Sequence, residues 1–166
     1  MALPIEQTPE KFSDVFKRLE SEAARYVVVS GVAVFFHGHV RPIYDLDIVT
    51  DPNQAEAQRT LRALNVAGFI SSIPLPFEML TVLRLFDPSS REVDVFARYV
   101  IPFAELWSHA VIRKVGDHAI RIASLEHVLK VKRLYKRPHD LSDVEALMRL
   151  ADSTNKLEPN LTEQHN

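Results

Sequence analysis

A chain of 166 residues with 46% hydrophobic and 25% charged residues can bury one sound core, and it is composed like an ordinary globular domain. Its formal net charge of -2 and pI near 6.4 exclude a global basic field for nucleic acid, though a local basic patch is still open to it. The absence of cysteine excludes disulfides and thiolate metal sites and fits a reducing cytosol, so a cytoplasmic location is expected.

Thr8-Pro9 reads as a helix start, and Phe12, Val15, Phe16, Leu19 and Ala23 follow at helical spacing, so residues 9–24 are predicted to form an amphipathic helix. The leading MALPIEQTPEKF lacks a basic segment followed by an apolar one and does not read as a signal peptide. Tyr26 to Val29 reads as a buried strand and Gly31 to His37 as a short helix leaving a turn. The apolar run from Tyr26 to Phe36 is broken by Ser30 and Gly31 and is too short to span a bilayer, so no membrane partner is expected. Asp45 to Val49 is a second strand, and Asp51-Pro52 opens a helix reaching about Leu64. Glu78 to Phe86 and Glu92 to Ala97 read as a hairpin around Asp87-Pro88-Ser89-Ser90. Phe103 to Ala110 is a helix; Val111 to Val115 and His118 to Ile122 form a second hairpin around Gly116-Asp117. Ser124 caps a helix to about Lys136, and Pro138 starts a last one to about Ala151. One domain over residues 1–151 and a polar, frayed tail over 152–166 follow. Two hairpins among helices point to an α/β (α+β) fold: a mixed sheet flanked by helices, ending in a C-terminal helix pair.

The chemistry concentrates at three carboxylates. In a strand, Asp45 and Asp47 point the same way, about 7 Å apart by the usual rise. Alternation in Arg91-Glu92-Val93-Asp94-Val95-Phe96 puts Asp94 opposite Val93 and Val95. If that strand lies beside Asp45–Val49, three carboxylates converge, a donor set for two divalent metals with oxygen ligands. A Gly31 turn suits a phosphate, and Arg41 lies four residues before Asp45. On the helix from Ser124, Leu125, Val128 and Leu129 make an inward stripe whose next position is Lys132. A lysine on a buried face needs an anion, either a triphosphate or a buried carboxylate, unless its head snorkels to water.

These residues resemble the nucleotidyltransferase superfamily that shares its fold with DNA polymerase β, and within it the minimal AbiEii-type proteins of toxin–antitoxin and phage-defence systems. The family pattern Gly-Gly-x-Ala-x-x-x-His-Gly-x-x-Arg-x-Thr-x-Asp-x-Asp is met by Gly31, Ala33, His37, Gly38, Arg41, Asp45 and Asp47. A second match runs from Ser124-Leu125-Glu126 through Lys132 to Arg137-Pro138-His139-Asp140-Leu141-Ser142-Asp143, so the likeness covers most of residues 26–146. It departs at Ser30, where the family has glycine, and at Ile43, where it has threonine; the loss of that threonine is expected to remove a polar contact near the site. The resemblance implies Asp45, Asp47 and Asp94 as catalytic metal ligands, with Asp94 also a candidate base, and Ser30, Gly31, Arg41 and Lys132 as triphosphate contacts. It implies two Mg²⁺ ions, with Mn²⁺ as a substitute, and an NTP substrate. The nucleoside monophosphate would pass to a hydroxyl of RNA (tRNA included), protein or a small molecule, in a chain that can also pair with a cognate toxin or antitoxin. The alternative is a non-catalytic member that binds nucleotide or a partner. Oligomeric state is left open.

Plainer roles are expected for the neighbouring residues. His37 is expected to be packed and hydrogen-bonded, His39 exposed, and Asp140 and Asp143 helix-start charges favoured by the dipole. Phe35, Phe36 and Trp107 belong to the core, and the basic cluster at 130–137 is a solvated helix face that could extend toward RNA. A dehalogenase-type phosphatase also uses Asp-x-Asp, but its nucleophile ends an apolar strand. Here Arg41-Pro42-Ile43-Tyr44 precede the pair, and no later adjacent acidic pair completes a metal site.

Overall fold

The computed structural model describes residues 2–71 and 77–157. Two 3-10 turns, Ile5–Gln7 and Pro9–Phe12, lead into α1 (Ser13–Ser21), so only the middle of the helix predicted over 9–24 is α-helical. Thr8 is its start in position but not in chemistry: its hydroxyl donates to the Ile5 carbonyl instead of accepting from the next turn. Val15, Phe16 and Leu19 form the buried stripe of α1, which ends where Ala23 takes a left-handed φ of 52° and the Ala24 amide bonds back to Leu19.

β1 (Tyr26–Val29), α2 (Ser30–Phe36) and β2 (Asp45–Thr50) follow as expected. All four residues of β1 are buried, as a strand covered on both faces requires. α3 (Gln54–Val66) starts later than Asp51-Pro52 implies, because Asp51 accepts from the Asn53 amide and Asn53 then caps the helix through the Ala55 amide. β3 (Val82–Phe86) is shorter than predicted, since Phe77–Met79 forms a 3-10 turn; β4 is Glu92–Phe96. α4 (Phe103–His109), β5 (Val111–Val115), β6 (His118–Ile122) and α5 (Leu125–Tyr135) keep the predicted order. α6 (Pro138–Leu157) runs past Ala151 into the segment expected to be tail; residues 158–166 lie outside the described residues.

The six strands form one mixed sheet in the order β3-β4-β2-β1-β6-β5. Both predicted hairpins are present as antiparallel pairs, β3 with β4 and β5 with β6. β1 and β2 are also antiparallel, whereas β2 runs parallel to β4 and β1 to β6. α1 packs on α3 and β6, α4 on β1, and α5 on α2 and α6. The core gathers β1, the inner positions of β2 and β4, and the apolar stripes of α1 and α5 around Phe12, Phe16, Leu46, Ile48, Val93 and Leu129. Among the described residues no helix is long and apolar enough to cross a membrane.

Candidate active site

The parallel pairing of β2 with β4 sets Asp45 beside Glu92 and Asp47 beside Asp94, while β1 sets Val29 beside Asp47. The three carboxylates singled out in the sequence therefore meet at the end of β1 where α2 begins. One oxygen from each of Asp45, Asp47 and Asp94 lies within 4.8 Å of the others. They line a cleft of about 320 Å³ together with Phe96, Tyr99, Leu106, Val128, Val131 and Tyr135.

Burial and the crowding of acids disfavour the charged forms of Asp45, Asp47 and Glu92. Burial, then Asp45 and Asp94, push the Asp47 carboxyl up to about 7, against the Ser30 hydroxyl bond that favours its charged form. Burial and Asp94 also raise Asp45, and the same two causes raise Glu92. Asp47 Oδ1 is buried without a hydrogen-bond partner. An orphaned, buried carboxylate oxygen facing two more carboxylates is the donor arrangement a hard divalent cation satisfies, so the residues fit the metal that the sequence resemblance implies.

Ser30 stands at the strand–helix junction with a left-handed φ of 56°, the conformation that explains why glycine suits the position. Its hydroxyl favours the charged forms of both Asp47 and the half-buried Tyr99, against the burial that pushes the ionisation of each up. Ile43, by contrast, is 2% exposed and points into the core, so the threonine-to-isoleucine departure removes no polar contact from the cleft. The backbone around it is anchored instead: its amide donates to Gln7, and the Lys11 ammonium donates to the Ile43 and Tyr44 carbonyls, fixing the entry to Asp45.

The predicted phosphate contacts lie together but already hold carboxylates. Ser30, Gly31, Arg41 and Lys132 line a second depression that shares Asp45 and Asp47 with the first. Arg41 makes a two-point fork on Asp143, with both bonds at 2.9 Å, and its guanidinium lies across Gly31. Lys132 is 5% exposed, and its ammonium reaches Asp140 at 3.1 Å and Asp143 at 3.0 Å. Of the two anions open to Lys132, the structure supplies the buried carboxylate. Asp140 stands in the first turn of α6 as expected and Asp143 follows it, but both are buried, at 0% and 2% exposed. Burial raises Asp140, but Arg137 and Lys132 outweigh it and hold the carboxyl at about 2. Asp143 is lowered in the same way by Arg41 and Lys132. His39 is half-buried, 3.5 Å from Asp143, rather than exposed. His37 is hydrogen-bonded as expected, its Nε2 donating to the Ala123 carbonyl at 2.8 Å. Lys130, Arg133, Lys136 and Arg137 form the expected exposed basic face. Phe35 and Phe36 pack on the core as expected, as does Trp107, which Arg25 and Arg121 also cover from outside.

Arg84 and Tyr99 were not legible as site residues. Arg84 was within reach of counting: outward from the Asp87–Ser90 turn, pairing Phe86 with Glu92 puts Arg84 opposite Asp94. Tyr99 follows β4 in a segment with no periodic signal of its own.

No protein-family model matches the chain, and no curated protein matches it in sequence. Solved structures do match. The lincosamide antibiotic adenylyltransferase LnuA, lincomycin-bound, superposes with a TM-score of 0.61 at 16% identity, covering 87% of this chain and 99% of that one. ANT(2")-Ia in complex with adenylyl-2"-tobramycin gives 0.58 at 10% identity over 88% and 95%. An antigenic nucleotidyltransferase-like protein from Paracoccidioides brasiliensis gives 0.54 at 15% identity over 92% and 90%. With its six-stranded mixed sheet and flanking helices, the chain has the nucleotidyltransferase fold.

Proposed function

We propose that the protein is a metal-dependent nucleotidyltransferase that moves a nucleoside monophosphate from an NTP to a hydroxyl acceptor. The observation that carries this reading is the convergence of Asp45, Asp47 and Asp94, with an unpartnered buried oxygen on Asp47. Two divalent cations, Mg²⁺ or Mn²⁺, held by these three aspartates would neutralise the triphosphate and acidify the attacking hydroxyl. The chain's own part is positioning and charge. Ser30 and Gly31 open α2 beside the cleft, and the Ser30 hydroxyl orients Asp47. Arg41 and Lys132 bring positive charge to the same depression; Lys132 has three donors, of which Asp140 and Asp143 take two. In this reading Asp94 also takes the proton from the acceptor hydroxyl. Phe96, Tyr99 and Tyr135, which line the cleft, offer aromatic surface for a base or an apolar acceptor.

The antibiotic-modifying proteins of like fold support a small-molecule acceptor, and the exposed basic face of α5 supports RNA, tRNA included. A protein acceptor, an AbiEii-type identity and a toxin–antitoxin partner rest on the sequence resemblance, and a cytoplasmic location on the lack of cysteine. Incubation with each labelled NTP and Mg²⁺, followed by Asp45→Asn and Asp47→Asn controls, tests the assignment; transfer that survives both substitutions refutes it.

A second reading, a non-catalytic binding member of the same fold, is favoured by one observation: Asp143 occupies both arms of the Arg41 fork. Calorimetry with NTP and Mg²⁺ separates the two, since tight binding without turnover supports only the second.

A further inference from the structure

The antiparallel register of β3 on β4 places Arg84 directly opposite Asp94, on the cleft side of the sheet. Arg84 Nε donates to Asp94 Oδ1 at 3.0 Å and its Nη2 to Oδ2 at 3.2 Å, so one guanidinium takes both oxygens of that carboxylate. The same Nε lies 2.7 Å from Glu92 Oε1. The Asp94 side chain is 8% exposed and that of Arg84 59%, so the arginine comes from the open edge of the sheet and reaches inward to the acid. Asp94, Glu92 and Asp45 all favour the charge on Arg84, and no second arginine or lysine contacts Asp94 among the described residues.

A fork of this kind uses the oxygens, and the lone-pair directions, that a divalent ion at Asp94 needs. A guanidinium beside a newly arrived divalent cation also meets like-charge repulsion at close range. We infer that Arg84 is an internal competitor for the metal: it holds Asp94 by a bidentate ion pair that a divalent cation must displace, and so sets how tightly the site binds metal. The inference rests on the reading of Asp94 as a metal ligand. Arg84 is a positioning residue in this scheme. It keeps a buried carboxylate oriented and compensated, and its place on an exposed strand edge lets it leave at little cost in packing. Among the described residues no arginine or lysine is ion-paired with Asp45 or Asp47, so the competition lies at Asp94.

Mn²⁺ binding to the full chain, without nucleotide, provides the test, read by electron paramagnetic resonance of free Mn²⁺. Arg84→Gln is expected to bind Mn²⁺ about two- to fivefold more tightly than the wild type, the range set by an exposed charge-assisted pair. Arg84→Lys keeps the charge but loses the fork, and is also expected to bind more tightly than the wild type. Equal or weaker binding by Arg84→Gln overturns the inference, because arginine and metal then share Asp94. Tighter binding by Arg84→Gln with Arg84→Lys matching the wild type also overturns it, since charge at a distance then suffices. A second measurement uses the wild type alone: the Arg84 Nε–H nuclear magnetic resonance signal should move on Mg²⁺ addition, and an unmoved signal counts against displacement. Asp45→Asn and Asp47→Asn separate the two levels of the argument. If neither they nor the wild type bind Mn²⁺, the metal-site reading itself fails; if the wild type binds and they do not, the Arg84 variants judge the inference alone. Urea midpoints of each variant confirm that the comparison is between folded chains.

Discussion

Replacing Asp47 by asparagine should make the protein more stable at pH 8 while costing it metal. Burial and the neighbouring acids lift the Asp47 carboxyl from 3.8 to about 7. A carboxyl raised in the folded state binds its proton there when the unfolded chain has already lost it, so stability falls as pH rises from about 4 to about 7. A shift of about three units, at about 1.4 kcal/mol each, sets an upper limit of about 4 kcal/mol lost by pH 8. Asparagine keeps the shape, carries no charge and retains a bond to the Ser30 hydroxyl. The gain of Asp47→Asn over wild type should therefore be near zero at pH 4 and grow to as much as about 4 kcal/mol at pH 8. Relaxation of Asp45 and Asp94 around the charge reduces the figure without changing its sign. Trp107, the single tryptophan, packs on the core and reports urea unfolding by fluorescence. The measurement is made in chelator at both pH values. An asparagine variant whose advantage is the same at pH 4 and pH 8, or negative at pH 8, refutes the reasoning. Added Mg²⁺ should stabilise the wild type at pH 8 and leave the variant unmoved, because ligand binding stabilises only a state that holds the ligand.

Other outcomes follow from the same geometry. Asp45→Asn and Asp94→Asn should each lower nucleotide transfer by about 10²-fold or more in kcat, read with saturating NTP and Mg²⁺. Lys132→Met leaves Asp140 and Asp143 short of a buried counter-ion and should cost about 3 kcal/mol by urea denaturation at pH 7. Asp140, held at about 2, contributes stability that is present above pH 4 and lost as pH falls toward 2. Asp140→Asn should therefore flatten the acid limb of the unfolding curve, and an unchanged acid limb counts against the pair. Ser30→Gly relieves the left-handed φ of 56° but removes the hydroxyl from Asp47. Its Asp47 midpoint, followed by carboxyl carbon nuclear magnetic resonance, should move above the wild-type value.

The order of elements and the mixed sheet were legible because local signals carry them: Val-rich Tyr26–Val29, two hairpin turns, and the Ser124 cap. The Asp45-x-Asp47 pair was legible because strand periodicity fixes its common face. Asp94 needed one further fact, that β4 lies parallel beside β2, and periodicity cannot choose a strand's neighbour. The inward direction of Lys132 was readable from its stripe, but its partner was not. Asp140 and Asp143 share an ordinary helix-start pattern with solvated acids, and only the packing of α6 on α5 buries them against it.

The same division explains Ser30 and Ile43. Sequence alone marks both as departures from a pattern. The tertiary structure decides that one sits on Asp47 with a strained backbone and the other is ordinary core. It also decides that Arg84 holds Asp94, since a β-ladder register joins residues ten apart in the chain through space. Residue type and spacing determined what chemistry this chain carries. The pairing of strands and the docking of helices determined which charges meet, because electrostatic interaction depends on distance and burial, neither of which a linear order contains.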